Sequence, residues 1–245
     1  MATLTESPFL LGSIAALANI AGGLILVSRR HWNDLVLRYF VGLGAGFMLA
    51  TTLLQMLPVA VSTPHGPFLI LTGYLLVHFF EHTVAPHFHF GEETHSHAME
   101  PRSASWTALA GLSVHAFFDG LSIASGLAVS PALGLLIFFA ILLHKVPEGF
   151  TVASIALASG QGKRGALRSA LILASATLLG ALALVDPVWS VNALPLSAGV
   201  TLYVAASDLI PEVNAIRGMR MGMAVFAGVA LSLIGAELLE LAGLH

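Results

Sequence analysis

The stretch PALGLLIFFAILLHKVPEGFTVASIALAS, residues 131–159, decides the fold. It is apolar from Pro131 to Leu143, then places His144, Lys145, Pro147 and Glu148 almost side by side. Apolar sequence resumes, and no further charge follows until Lys163. A helix needs about 20 mostly apolar residues to cross the hydrocarbon core of a bilayer. This run exceeds that length, so its imidazole, ammonium and carboxylate fall inside the membrane.

The composition agrees. The chain is 57% hydrophobic and 9% charged, with a mean hydropathy of +0.89. Soluble domains carry about 25% charged residues, so too few charges are present to cover a globular surface. Cysteine is absent, which excludes disulfides and thiolate metal sites. The net charge of −3 carries no hint of nucleic acid. The start, MATLTESPF, lacks a basic region and an A-x-A-like cleavage site, so the first apolar run reads as a retained helix and not a signal peptide.

Eight spans are expected, at 8–28, 37–60, 67–85, 105–129, 131–159, 165–186, 189–212 and 219–243. Together they form one all-α, polytopic transmembrane domain over residues 1–245, with a His-rich loop at 86–104. Orientation follows from Lys and Arg in short loops. Arg29, Arg30 and Arg38 lie between helices 1 and 2, Arg102 between 3 and 4, Lys163, Arg164 and Arg168 between 5 and 6, and Arg217 and Arg220 between 7 and 8. The other loops and both termini have none. Alternate loops thus face the cytosol, and both termini lie outside. The tenth basic residue is Lys145, inside helix 5.

Two internal echoes suggest how the helices are arranged. Helix 2 contains LGAGFMLATTLLQMLP (43–58) and helix 7 contains LSAGVTLYVAASDLIP (196–211). Leu43, Ala45, Gly46, Leu49 and Pro58 match Leu196, Ala198, Gly199, Leu202 and Pro211, and Gln55 falls opposite Asp208. The copies are five helices apart, so they run in opposite senses, as inverted repeats of transporters do. Likewise His115-x-x-x-Asp119-Gly120 in helix 4 is answered by His144-x-x-x-Glu148-Gly149 in helix 5. The expected architecture is three helices, a central pair, then three helices.

A histidine and a carboxylate four residues apart project from one helical face. A charged residue at the centre of a membrane helix costs about 2.5–3.5 kcal/mol on insertion scales, so such residues usually mark a pathway or site. Two such faces pressed together offer His115, Asp119, His144 and Glu148 as ligands for a borderline divalent cation. Zn²⁺ fits best, with Fe²⁺, Mn²⁺, Co²⁺ and Cd²⁺ also admitted. Any one of them alone is equally a hydrogen-bonded core residue; the paired set favours metal. Pro147 cannot donate to the carbonyl of Leu143 and clashes with it, which predicts a kink beside the ligands or, on a blander view, a packing bend. Gly120 and Gly149 are expected to let the two ligand faces approach. Ser122 and Ser125 extend the polar lining.

Other polar groups lie towards the basic side. His78, Glu81 and His82 close helix 3; Asp208 and Glu212 lie near the end of helix 7. They are candidates for an exit path, or for interfacial charges paired with Arg217. The loop histidines His87, His89, His95 and His97 read as weak metal capture or as a polar loop. Glu237 and Glu240 read as interfacial.

HAFFDG (115–120), HKVPEG (144–149), the His-rich loop and the Pro-terminated helices 2 and 7 resemble the ZIP (Zrt-, Irt-like) metal transporters over nearly the whole chain. The resemblance implies eight helices, both termini outside, and divalent metal, chiefly zinc, moving into the cytosol without an organic cofactor. It also places His115, Asp119, His144 and Glu148 at the transport site, and Met48 where a thioether ligand can be added. Three departures stand out. Ala116 and Phe118 replace an Asn and a Pro common in helix 4, which should leave that helix straighter. Lys145 replaces the usual Asn, Asp or Glu. Residues 166–185 hold no carboxylate for a second ion. Lys145 is therefore expected to balance charge where a second metal sits in relatives, unless it snorkels to an interface.

The expected partners are divalent metal ions and the bilayer, with a homodimer left open and nucleic acid excluded. Compact loops suggest a bacterial inner membrane. The rivals are an intramembrane metallohydrolase and a metal-sensing receptor. The sequence lacks the HExxH motif that a hydrolase reading would want.

Overall fold

Apolar runs in a bilayer must satisfy their own backbone groups, which leaves helices as the outcome here. The computed structural model describes residues 7–28, 34–83, 102–183, 187–215 and 218–244, and every regular element in them is helical. Helix α1 is Pro8–Ser28. Helix α2 runs from Asp34–Thr51 through a π-helical turn, Thr52–Met56, into Leu57–Val61. Then come α3 (Gly66–Thr83), α4 (Arg102–Val129), α5 (Pro131–Ala158) and α6 (Gly162–Leu182). Helix α7 joins Pro187–Tyr203, a second π-turn at Val204–Leu209, and Ile210–Ala215. Helix α8 is Met219–Leu241.

Seven of these eight rods are long and apolar enough to cross a membrane. The exception is α3, whose last turns carry His78, Glu81 and His82 and dilute its apolar character. The chain is a polytopic, all-helical membrane protein. Within it α5 is the most enclosed helix, with 78% of its membrane-crossing stretch buried, and α8 the least, with 11%. A central α5 explains why its two faces are both apolar. A peripheral α8 explains the exposed Phe226, Leu238 and Leu241, which suit lipid.

The two π-turns were not foreseen, although their cause is legible. Each lies just before a proline, Pro58 or Pro211. Proline clashes with the carbonyl four residues back, which belongs to Leu54 in one case and Ser207 in the other. Both carbonyls fall inside the widened turn. The extra residue in a π-turn relieves that clash without breaking the helix. At Pro147 the chain takes another course. Helix α5 runs unbroken past it to Ala158.

Candidate metal centre

The His-x-x-x-carboxylate faces of α4 and α5 do meet. His115, Asp119, His144 and Glu148 are all buried and bring one ligand atom each to within 4.8 Å of one another. Asp119 Oδ2 is the hub, 3.1 Å from His115 Nε2 and 3.3 Å from His144 Nε2. The two imidazole rings lie 5.8 Å apart, edge to face. His144 Nδ1 donates to the main-chain oxygen of Ala140 at 3.1 Å. That contact fixes the ring so that Nε2 faces the centre, 3.3 Å from Asp119 Oδ2, the orientation a metal-ligating histidine needs.

Lys145 is fully buried and does not snorkel. Its Nζ bridges both carboxylates, 2.6 Å from Asp119 Oδ2 and 2.5 Å from Glu148 Oε2. Glu148 Oε1, by contrast, is buried without a partner and lies 4.0 Å from His115 Nε2. With both imidazoles counted as neutral ligands, two carboxylates and one ammonium leave a formal charge of −1, and one oxygen open. That suits one incoming cation.

The close-packing glycines work differently from expectation. A side chain on Gly149 would collide with the carbonyl of Asn19 on α1, and one on Gly120 with the carbonyl of Thr177 on α6. They bring flanking helices onto the central pair, and do not bring the pair together. The reason is angular: a residue next to the carboxylate points about 100° away around the helix.

Asn19 was missed by the sequence reading. It is fully buried on α1, and its side-chain amide lies 3.4 Å from Thr177 Oγ1. With its nitrogen turned to α5, the amide donates to Glu148 Oε2 at 3.2 Å and to the main-chain oxygen of Lys145 at 2.7 Å. The available signal was an isolated amide in an otherwise apolar ALANIAGG run (16–23).

The remaining candidates are dispersed. Met48 is fully buried in an apolar cluster with Val41, Leu136 and Ala140. Ser122 Oγ lies 3.4 Å from Thr201 Oγ1, and Ser125 Oγ donates to Ser122 O at 3.1 Å. Between α3 and α7, Glu81 lies beside Tyr203 and Asp208, close enough to interact electrostatically with both. Tyr74 Oη is 3.1 Å from Ser207 Oγ, and the Tyr203 ring stands edge-on to Tyr74 and His78. His82 Nδ1 donates to His78 O at 2.8 Å, and Glu212 is buried. Asp208 lies within electrostatic reach of His115, so this polar cluster neighbours the central one. His87, His89, His95, His97 and Arg217 lie outside the described residues.

The chain is thus a multi-helical membrane protein whose α4 and α5 bring together a buried His/carboxylate quartet, a donor set that could hold a divalent cation. The sequence profile described as ZIP Zinc transporter matches residues 89–236, more than half the chain, which therefore belongs to the ZIP family. The family is one of transporters, and the hydrolase alternative loses its ground. Over 149 residues the chain is 32% identical to the zinc transporter ZIP13 homolog of Drosophila melanogaster, covering 56% of this chain and 42% of that one. It is 28% identical over 158 residues to zinc transporter ZIP9-B of Xenopus laevis (59% and 52%). It is 29% identical over 153 residues to zinc transporter SLC39A7 of Mus musculus (56% and 32%). The matched region thus spans between about a third and a half of these relatives. All three are animal proteins, which lends nothing to a bacterial inner membrane.

Proposed function

We propose that the chain carries a divalent transition metal, zinc foremost, across the membrane into the cytosol, with His115, Asp119, His144 and Glu148 as its transport ligands. The observation that carries this is four buried donors converging within 4.8 Å on adjacent helices of a ZIP-family protein. Two imidazoles with two carboxylates suit Zn²⁺, and also admit Fe²⁺, Mn²⁺, Co²⁺ and Cd²⁺. Met48 is the candidate for an added thioether ligand. The direction of transport is what the resemblance to ZIP transporters implies, and the segregation of nine basic residues to alternate loops supports only which side faces the cytosol.

The helices are read as three plus two plus three, with an inverted repeat and both termini outside. The π-turns support this, since an offset of 153 residues sets one on the other. So do matching crossings: a side chain on Gly46 would strike Val225 of α8, and one on Gly199 would strike Ile70 of α3. Metal entering from outside exchanges water for the four ligands. It then leaves past the Glu81, Asp208, His78 and His82 group towards Glu212 and the loop histidines. Radiolabelled zinc uptake into proteoliposomes tests the transport step. His144→Ala with Glu148→Ala is expected to lower uptake to the level of empty vesicles, and uptake equal to wild type would sink the proposal.

Lys145 sets the number of ions. With its ammonium in place, one dication brings the cluster from −1 to a formal +1, and a second would bring it to +3 in a low-dielectric site. We therefore expect one tightly held zinc per chain in purified protein, measured by elemental analysis against protein concentration. Two tightly held ions at the α4–α5 site would overturn this role.

A further inference from the structure

We propose that Asn19 is a positioning residue for metal binding, which turns the Glu148 carboxylate so that Oε1 alone faces the incoming ion. This rests on Glu148 being a metal ligand. The two oxygens of Glu148 have different surroundings. Oε2 takes the Lys145 ammonium at 2.5 Å and the Asn19 amide at 3.2 Å. Oε1 is buried with no partner, 4.0 Å from His115 Nε2. An unpaired carboxylate oxygen in a membrane interior is costly; a cation arriving there satisfies it.

Asn19 is suited to this task in three ways. It is neutral, so it holds the carboxylate without reducing the negative charge that draws metal. It makes two contacts to one turn of α5, the side chain of Glu148 and the main chain of Lys145, which fixes that carboxylate relative to its own backbone. In that orientation its oxygen faces the Thr177 hydroxyl of α6 at 3.4 Å and can accept from it, a contact to a third helix. Partners that orient a metal ligand typically change affinity by about 10–100-fold when removed.

The competing role is glue between helices, since buried amides also serve that purpose in membranes. Zinc affinity of the full chain in detergent, measured by isothermal titration, separates the two in a double-mutant cycle. Asn19→Ala is expected to weaken zinc binding by about 10-fold or more in the wild-type background, and to add nothing in Glu148→Ala. Equal losses in both backgrounds would show that Asn19 does not act through Glu148. Asn19→Leu keeps the number and branching of side-chain heavy atoms while removing both donors, and so avoids the cavity left by Asn19→Ala; it should bind as weakly as Asn19→Ala. Wild-type affinity in Asn19→Leu would overturn the inference. No effect from Glu148→Ala by itself would instead overturn the ligand assignment, and the role of Asn19 with it.

Discussion

Lys145→Met is expected to destabilise the metal-free protein by about 3–5 kcal/mol, the usual cost of removing one partner from a buried ion pair. The Nζ of Lys145 lies within 2.6 Å of an oxygen on each of Asp119 and Glu148. Without it, two buried carboxylates face each other across the space it filled, and like charges sharing a site repel strongly. Methionine keeps the unbranched length, so lost packing contributes little. A domain of this size loses about 2–4 °C in melting temperature per kcal/mol, which puts the shift on the order of 10 °C. Zinc should recover much of that loss, because the metal then supplies the neutralising charge. The same zinc should raise the melting temperature of wild type less. Adding Asp119→Asn to Lys145→Met removes one of the repelling charges and should restore stability in the absence of metal, while leaving zinc binding weak. Thermal melting in detergent, with and without zinc, reads all three variants. A Lys145→Met protein as stable as wild type, with the same response to zinc, would remove the charge-balancing role.

That prediction joins a motif visible in the sequence to a contact that was not. His-x-x-x-Asp and His-x-x-x-Glu declare themselves because a charge in an apolar helix is expensive, and their four-residue spacing fixes a common face. Which atoms meet depends on how α4 and α5 cross, and no local pattern encodes that. Hence the sequence could assign Lys145 the task of balancing Asp119 and Glu148, but not the oxygens it would meet, Asp119 Oδ2 and Glu148 Oε2. Gly120 and Gly149 show the same limit: the sequence announces a close approach, and only the assembled helices reveal α6 and α1 as the neighbours. Asn19 escaped notice because an isolated amide in an apolar span has no partner in its own helix, its contacts lying well over a hundred residues along the chain. Prolines were ambiguous for a related reason. Pro58 and Pro211 sit beside π-turns and Pro147 does not, so the residue type signals strain while tertiary packing chooses the remedy.

Gly149→Ala is the second large effect expected, and its sign is decided by two opposing terms. Glycine within a helix is less favourable than alanine by about 0.8–1.0 kcal/mol, so the substitution gains that much from the backbone. Against it, the new methyl group would overlap the carbonyl of Asn19 and sit 2.7 Å from its carbonyl carbon. These are main-chain atoms and cannot swing aside. Overpacking of this kind costs about 1–3 kcal/mol, occasionally more, so the net change should be destabilising. It should also act at a distance, because relief requires α1 to shift away from α5 and α1 carries the Asn19 amide that holds Glu148. Gly149→Ala should therefore weaken zinc binding as well as lower the melting temperature, although it changes no ligand. Gly222→Ala on α8 is the control, since its methyl group meets nothing within 4 Å. There only the backbone term remains, and the protein should be equally stable or slightly more so. If Gly149→Ala melts and binds zinc as Gly222→Ala does, then the α1–α5 contact is looser than described and Asn19 does not reach the site through it.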